Sequence, residues 1–93
     1  MAIVFTTSRS QSNDPGFFVG TRQADALCDF LWPLFKEKGE FLDHYSDGRL
    51  DEWQLAEIVN FLLSTSGGDK FTKERDFLEH ARQKGESVFF SGE

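Results

Sequence analysis

The chain is poor in the residues that build disulfides, metal sites and catalytic centres: it contains a single cysteine, Cys28, and two histidines, His44 and His80. One cysteine excludes an intramolecular disulfide, which is typical of proteins in a reducing compartment, so we expect a cytoplasmic location. One thiol and two imidazoles at these spacings complete neither a zinc site nor a set of nucleophile, base and orienting group. We therefore predict no cofactor, no metal and no enzymatic activity.

Long apolar runs are also missing. No stretch of the sequence approaches the roughly 18 apolar residues of a membrane helix, and residues 1–7 contain no basic segment of the kind that opens a signal peptide. The sequence therefore predicts neither membrane insertion nor secretion.

Basic residues are outnumbered, since ten Lys and Arg face sixteen Asp and Glu and the formal net charge is −6. Such a surface repels phosphate backbones, so we predict no direct contact with nucleic acid. The imbalance is local: residues 23–57 contain nine acidic and three basic residues, whereas the segments on either side are nearly balanced. Three large aromatic residues, Trp32, Tyr45 and Trp53, lie in the same stretch.

The 93 residues fit one small domain spanning 1–93, with eleven phenylalanines to fill its core. Apolar periodicity predicts short strands at 2–6, 17–19 and 87–90, and helices at 21–38, from 51 to about 63, and at 71–84. Pro33 predicts a kink or a restart within the first helix. The pattern indicates an α+β domain with three helices on a small two- or three-stranded antiparallel sheet formed by the chain ends. A mainly helical domain with extended ends is the alternative.

Residues 43–54, Asp-His-Tyr-Ser-Asp-Gly-Arg-Leu-Asp-Glu-Trp-Gln, resemble the calcium loop of the EF-hand family. Five residues match that loop in kind and spacing: Asp43, Asp47, Gly48, Leu50 and Asp51. Tyr45 and Gln54 replace the oxygen-rich residues of the family pattern. The resemblance implies a degenerate, single EF-hand-like regulator that responds to calcium. On the alternative interpretation, Asp47 and Gly48 form a tight turn, Leu50 faces the core, and Asp51 with Gln54 caps the next helix.

The acidic and aromatic stretch itself favours a binding surface, because aromatic rings supply buried anchors while surrounding charge steers a basic partner into register. The alternative is a solvated helical face whose tryptophans turn into the core. We predict contacts at Asp43, Tyr45, Asp47, Asp51, Glu52 and Trp53, with Asp25, Asp29, Trp32 and Glu40 at the rim.

The predicted function is that of a small acidic module that binds a basic protein and inhibits it stoichiometrically. Bacterial immunity proteins and antitoxins, which neutralise intracellular toxins such as nucleases, are likewise small, acidic, single-domain proteins. Strand edges near residues 3–5 or 88–90 offer pairing between chains, so both a monomer and a homodimer are compatible with the sequence.

Overall fold

The computed structural model describes residues 2–7, 16–43 and 45–92. Its strands are β1 (Ile3–Thr7), β2 (Phe17–Val19), β3 (Gly48–Leu50) and β4 (Val88–Gly92). The helices are α1 (Thr21–Lys38), α2 (Glu52–Ser64) and α3 (Thr72–Gln83), and a 3-10 helix, Gly68–Phe71, leads into α3. The predicted α+β fold class is confirmed, and the mainly helical alternative is wrong.

All strand pairs of the sheet are antiparallel, in the order β2-β1-β4-β3. The two strands from the chain ends, β1 and β4, lie at its centre, where each pairs with a neighbour on both sides. The free strand edges expected near residues 3–5 and 88–90 are therefore occupied within the sheet, and that prediction is wrong. Within the described residues the sheet has four strands, more than the two or three expected, because β3 pairs with β4 through Leu50 opposite Val88 and Gly48 opposite Phe90. Gly48 and Arg49 are neither β-branched nor aromatic, so composition gave no sign of this strand.

The helices cover one face of the sheet and enclose the core between them. Alternate strand residues, among them Ile3, Phe5 and Val88, are fully buried, as expected for a sheet with one covered face. Helices α1 and α2, which the apolar periodicity predicts, each bury one face in this core. They bury Leu27, Leu31, Leu34 and Phe35 from α1 and Leu55, Ile58, Val59 and Leu62 from α2.

Helix α1 runs through Pro33 without interruption, so the predicted restart is wrong. Pro33 is exposed, whereas its neighbours Leu31 and Leu34 are buried. Packing of this buried face stabilises the helix across the position where proline removes a hydrogen bond. The helix ends at Lys38, and the amide of Gly39, with φ of +100°, donates to the Phe35 carbonyl at 2.8 Å.

A close contact between β3 and β4 explains the glycine at position 48. A Cβ atom built on Gly48 would lie 2.7 Å from Cε1 of Phe90, so the phenyl ring occupies the space of a side chain. Gly48 has no positive φ and begins a strand, which corrects the predicted tight turn at Asp47 and Gly48. The turn of this segment is instead at Tyr45.

Across the three described ranges, no helix combines the length and the apolarity needed to cross a bilayer.

Candidate functional site

A concave pocket of about 260 Å³ opens between the second half of α1 and the segment that joins α1 to β3. We call it the α1 pocket. It is lined by Cys28, Asp29, Trp32, Phe35, Glu40, Leu42, Asp43 and Tyr45. The fold therefore brings together five of the ten residues predicted to contact a partner, namely Asp29, Trp32, Glu40, Asp43 and Tyr45.

The helical repeat of α1 sets one wall of this pocket. Cys28, Trp32 and Phe35 follow each other at intervals of four and three residues, which places them on one side of the helix. Phe35 is buried and belongs to the core, whereas Trp32 stays 51% exposed. Buried Phe35 and Leu42 thus form an apolar floor beneath a half-exposed indole ring.

The opposite wall is a loop that Asp43 organises. Its carboxylate accepts the Tyr45 amide at 2.9 Å and the Ser46 hydroxyl at 3.4 Å, the local pattern of an Asx turn. The Ser46 carbonyl in turn accepts the Gly92 amide at 3.1 Å, which ties the loop to the end of β4. Tyr45, 68% exposed, is therefore presented to solvent by a loop with fixed ends.

A row of aromatic rings connects the pocket floor to α2. The ring centroids of Phe35 and Phe41 are 4.9 Å apart, and those of Phe41 and Trp53 are 5.5 Å apart. Trp53 remains 54% exposed on top of this row. Both tryptophans thus lie at the surface, and the alternative in which they turn into the core does not describe this structure.

The predicted acidic residues differ in what their carboxylates do. Asp47 accepts the Ser91 hydroxyl at 3.0 Å, and Asp51 pairs with the Arg49 guanidinium at 2.8 Å. By contrast, the carboxylates of Asp29 and Glu40 make no hydrogen bond or ion pair with the described residues. Asp29 and Glu40 are thus the carboxylates of the α1 pocket that are exposed to solvent without a described partner.

Asp51 also has a structural role at the start of α2. It is the N-cap residue of a capping box, in which the Gln54 side-chain oxygen accepts the Asp51 amide at 2.7 Å. The helix cap considered in the sequence is therefore present, and Leu50, which precedes it, is fully buried.

Asp25 and Glu52 do not line the α1 pocket. Asp25 lies on α1, one turn before Asp29. Glu52 begins α2, where a negative charge interacts favourably with the helix dipole. The hydrogen bond with Glu79 raises the pKa of Arg82, and the negative charge of Glu52 adds to this effect.

The described residues of the EF-hand-like segment do not assemble the ligand set that the resemblance implies. Asp47 and Asp51 bond to different partners, and Gly48 lies in a strand instead of the sharp turn that a calcium loop needs at this position. In the parts of the chain that the structure describes, no three Asp, Glu, His or Cys side chains are grouped to hold a metal ion. His44 lies outside the described residues.

Sequence reasoning missed Phe41 and Leu42, which complete the site. Leu42 is buried in the pocket floor, and Phe41 supports Trp53. The available signal was an apolar pair inside a polar connection between Gly39 and Asp43, where a solvated loop needs none.

Comparison of the chain with protein-family models, with curated proteins and with solved structures gives no match.

Proposed function

We propose that this chain is a cytoplasmic, protein-binding inhibitor that covers the functional surface of a basic partner protein, in the manner of a bacterial immunity protein or antitoxin. The observation that supports this most is the exposure of Trp32 and Tyr45 in a pocket whose carboxylates Asp29 and Glu40 have no internal counter-charge. Tryptophan and tyrosine are enriched among the few residues that dominate binding energies.

The aromatic row supports the proposal further because it lowers the entropy lost on binding. Trp53 rests on Phe41, which rests on the buried ring of Phe35. A ring that is already held in place loses less side-chain freedom when a partner covers it, and that loss is about 0.5–1.5 kcal/mol for a freely rotating side chain.

The size of the chain also suits this role. Its accessible surface is 5495 Å², and a standard interface buries about 800 Å² per partner, or about one seventh of it. A contact of that area is large enough to include the α1 pocket with Tyr45 and, through the aromatic row, the ring of Trp53.

Affinity capture with charge-reversed variants tests the proposal. The chain is immobilised and exposed to lysate of its source cell at low and at high salt, and the same is done with Asp29→Lys/Glu40→Lys. We expect the wild type to capture a basic protein, and high salt to release it. The double variant should not retain this protein, and one molar equivalent of the chain should abolish its activity.

A matched control reverses two acidic residues elsewhere. Asp69→Lys/Asp76→Lys makes the same change in net charge on the 3-10 helix and α3, where both residues are exposed. This control should retain the partner. If both variants lose the partner equally, the effect is one of net charge and not of the α1 pocket. An acidic partner, or a basic partner that stays active when saturated with the chain, would contradict the proposal.

A further inference from the structure

The α1 pocket has the chemistry of a site for one cationic side chain. Its acidic members are Asp29, Glu40 and Asp43, its exposed rings are Trp32 and Tyr45, and the described residues that line it include no lysine or arginine. An aromatic face attracts a cation within about 6 Å of its centroid, and carboxylates beside it add hydrogen-bond acceptors. Both kinds of group select for positive charge.

The volume of the pocket narrows the choice of occupant. About 260 Å³ is far more than the roughly 30 Å³ that one water molecule occupies, and it lies below the range of about 300–1,000 Å³ typical of small-molecule sites. A single long side chain that enters from a protein surface suits this space.

The carboxylates retain the capacity to bind such a group. The carboxylates of Asp29 and Glu40 bond to no described residue, and that of Asp43 accepts one amide and one hydroxyl. An ionised carboxylate offers about four acceptor sites, so Asp43 can hold its loop and still accept a further donor.

A comparison within the molecule shows that this combination is not general. A larger concavity of about 450 Å³ lies between the start of α1 and the start of α3, and its lining includes Lys70 and Lys73. Its one buried carboxylate, that of Glu74, accepts a hydrogen bond from Gln23 at 3.2 Å. That concavity has mixed charge and an acid with an internal partner, so it does not select a cation.

We propose that the α1 pocket receives an arginine side chain of the basic partner, an inference that rests on the proposed function. The guanidinium is planar, so it stacks on the indole of Trp32 while its five N–H donors reach the surrounding carboxylates. An ammonium group is a hydrated point charge with three donors and gains less from a flat aromatic wall. The pocket therefore prefers arginine to lysine.

The test uses model compounds, so that it does not depend on finding the partner. The Trp53→Phe variant leaves Trp32 as the one tryptophan, whose indole N–H signal in an NMR spectrum reports on the pocket. N-acetyl-arginine methylamide is titrated into this variant at millimolar concentrations, and the citrulline and lysine analogues serve as controls. Citrulline has nearly the same shape as arginine but no charge.

We expect the arginine compound to shift the Trp32 indole signal and the amide signals of Asp29 and Tyr45 to saturation. Citrulline should produce no saturating shift, and lysine should bind several-fold more weakly. Asp29→Asn/Glu40→Gln should weaken arginine binding about tenfold or more, because hydrogen bonds to charged groups are stronger than those to neutral amides. Both residues are exposed, so the fold should tolerate the substitutions. Asp69→Asn/Asp76→Asn should change nothing.

Three results would overturn the inference: equal shifts with citrulline, lysine binding as tight as arginine, or shifts confined to residues outside the α1 pocket. Failure here, with capture still lost in Asp29→Lys/Glu40→Lys, would remove the arginine assignment and leave the proposed function intact. If the arginine compound binds saturably but capture of a protein does not depend on these charges, the pocket is an arginine site and the proposed function is wrong.

Discussion

Replacing Gly48 by alanine should destabilise the protein through a single steric contact. The added Cβ would lie 2.7 Å from Cε1 of Phe90, which is 6% exposed and fixed in the core opposite β3. Phe90 cannot swing into solvent without leaving a cavity. The ring or the β3 backbone must therefore move.

The magnitude follows from two opposing effects. Overpacking a well-filled core typically destabilises by about 1–3 kcal/mol. Replacement of glycine by alanine at an unstrained position stabilises by about 0.4–1 kcal/mol through the unfolded state, and Gly48 has no positive φ to add strain. We expect a net loss of up to about 2.6 kcal/mol, with a central value of about 1.3 kcal/mol. At roughly 4–8 °C per kcal/mol for a chain of this size, a loss of about 1.5 kcal/mol lowers the Tm by about 6–12 °C.

Urea unfolding followed by tryptophan fluorescence measures the effect, and a second substitution identifies its cause. Phe90→Leu removes the ring that meets the new Cβ, so Gly48→Ala should cost less in the Phe90→Leu background, by about 1 kcal/mol. Additive losses in the double variant, or a Gly48→Ala protein as stable as the wild type, would refute the close contact.

Substitutions at Gly48 also distinguish a strand at this position from an EF-hand calcium loop. A glycine that adopts a left-handed conformation in such a loop is replaced by asparagine more readily than by alanine, whereas in β3 both side chains meet Phe90. Asparagine should therefore be at least as harmful as alanine, and millimolar Ca²⁺ should leave the Tm of the wild type unchanged. A rise in Tm with Ca²⁺ that Asp43→Ala/Asp47→Ala abolishes would favour the EF-hand interpretation instead.

Three further substitutions test other parts of the structure. Asp51→Ala should lower the free energy of unfolding by about 0.5–2 kcal/mol in urea denaturation because it removes the N-cap of α2, and an unchanged value would mean that α2 needs no cap. Trp53→Ala should lower it by about 0.5–1.5 kcal/mol through the lost contact with Phe41, whereas a ring without support would cost nothing. The Arg82 guanidinium, bonded to Glu79 at 2.7 Å and 3.0 Å, holds the pKa of that carboxyl below its ordinary 4.5. The depressed pKa stabilises the fold above pH 4.5 and ceases to do so as the pH falls through the folded value. The Tm difference between wild type and Glu79→Gln should therefore shrink on acidification below pH 4.5, and a difference that stays constant would contradict the pairing.

Periodicity in the sequence predicted those elements whose pattern is local. The buried face of α1 repeats every three to four residues, and the short apolar run at 17–19 coincides with β2. Strand β3 has no such pattern, because its pairing depends on Phe90 and Val88, about forty residues further along the chain. A strand of three residues with glycine at its start becomes visible only when its neighbour in space is known.

In the candidate site as well, local composition predicted some features, whereas others depend on contacts between distant segments. Local composition identified the acidic and aromatic stretch, and exposure of Trp32 and Trp53 agrees with a surface role. Composition could not tell that Asp47 would bond to Ser91, 44 residues away, while Asp29 would keep its charge unpaired by any described residue. Hydrogen-bond partners from distant segments decide which charges are available to a partner.

The hydrogen-bond partners of each carboxylate determine which substitutions report on binding. Asp43 and Asp51 hold the loop and the helix cap that shape the surface, so replacing either changes the geometry of the site together with its charge. Asp29 and Glu40 contribute charge without holding any described residue. A loss of binding in Asp43 or Asp51 variants is therefore ambiguous between folding and contact. The same loss in Asp29 and Glu40 variants of unchanged Tm reports on contact alone, and for that reason the tests of partner and arginine binding depend on these two residues.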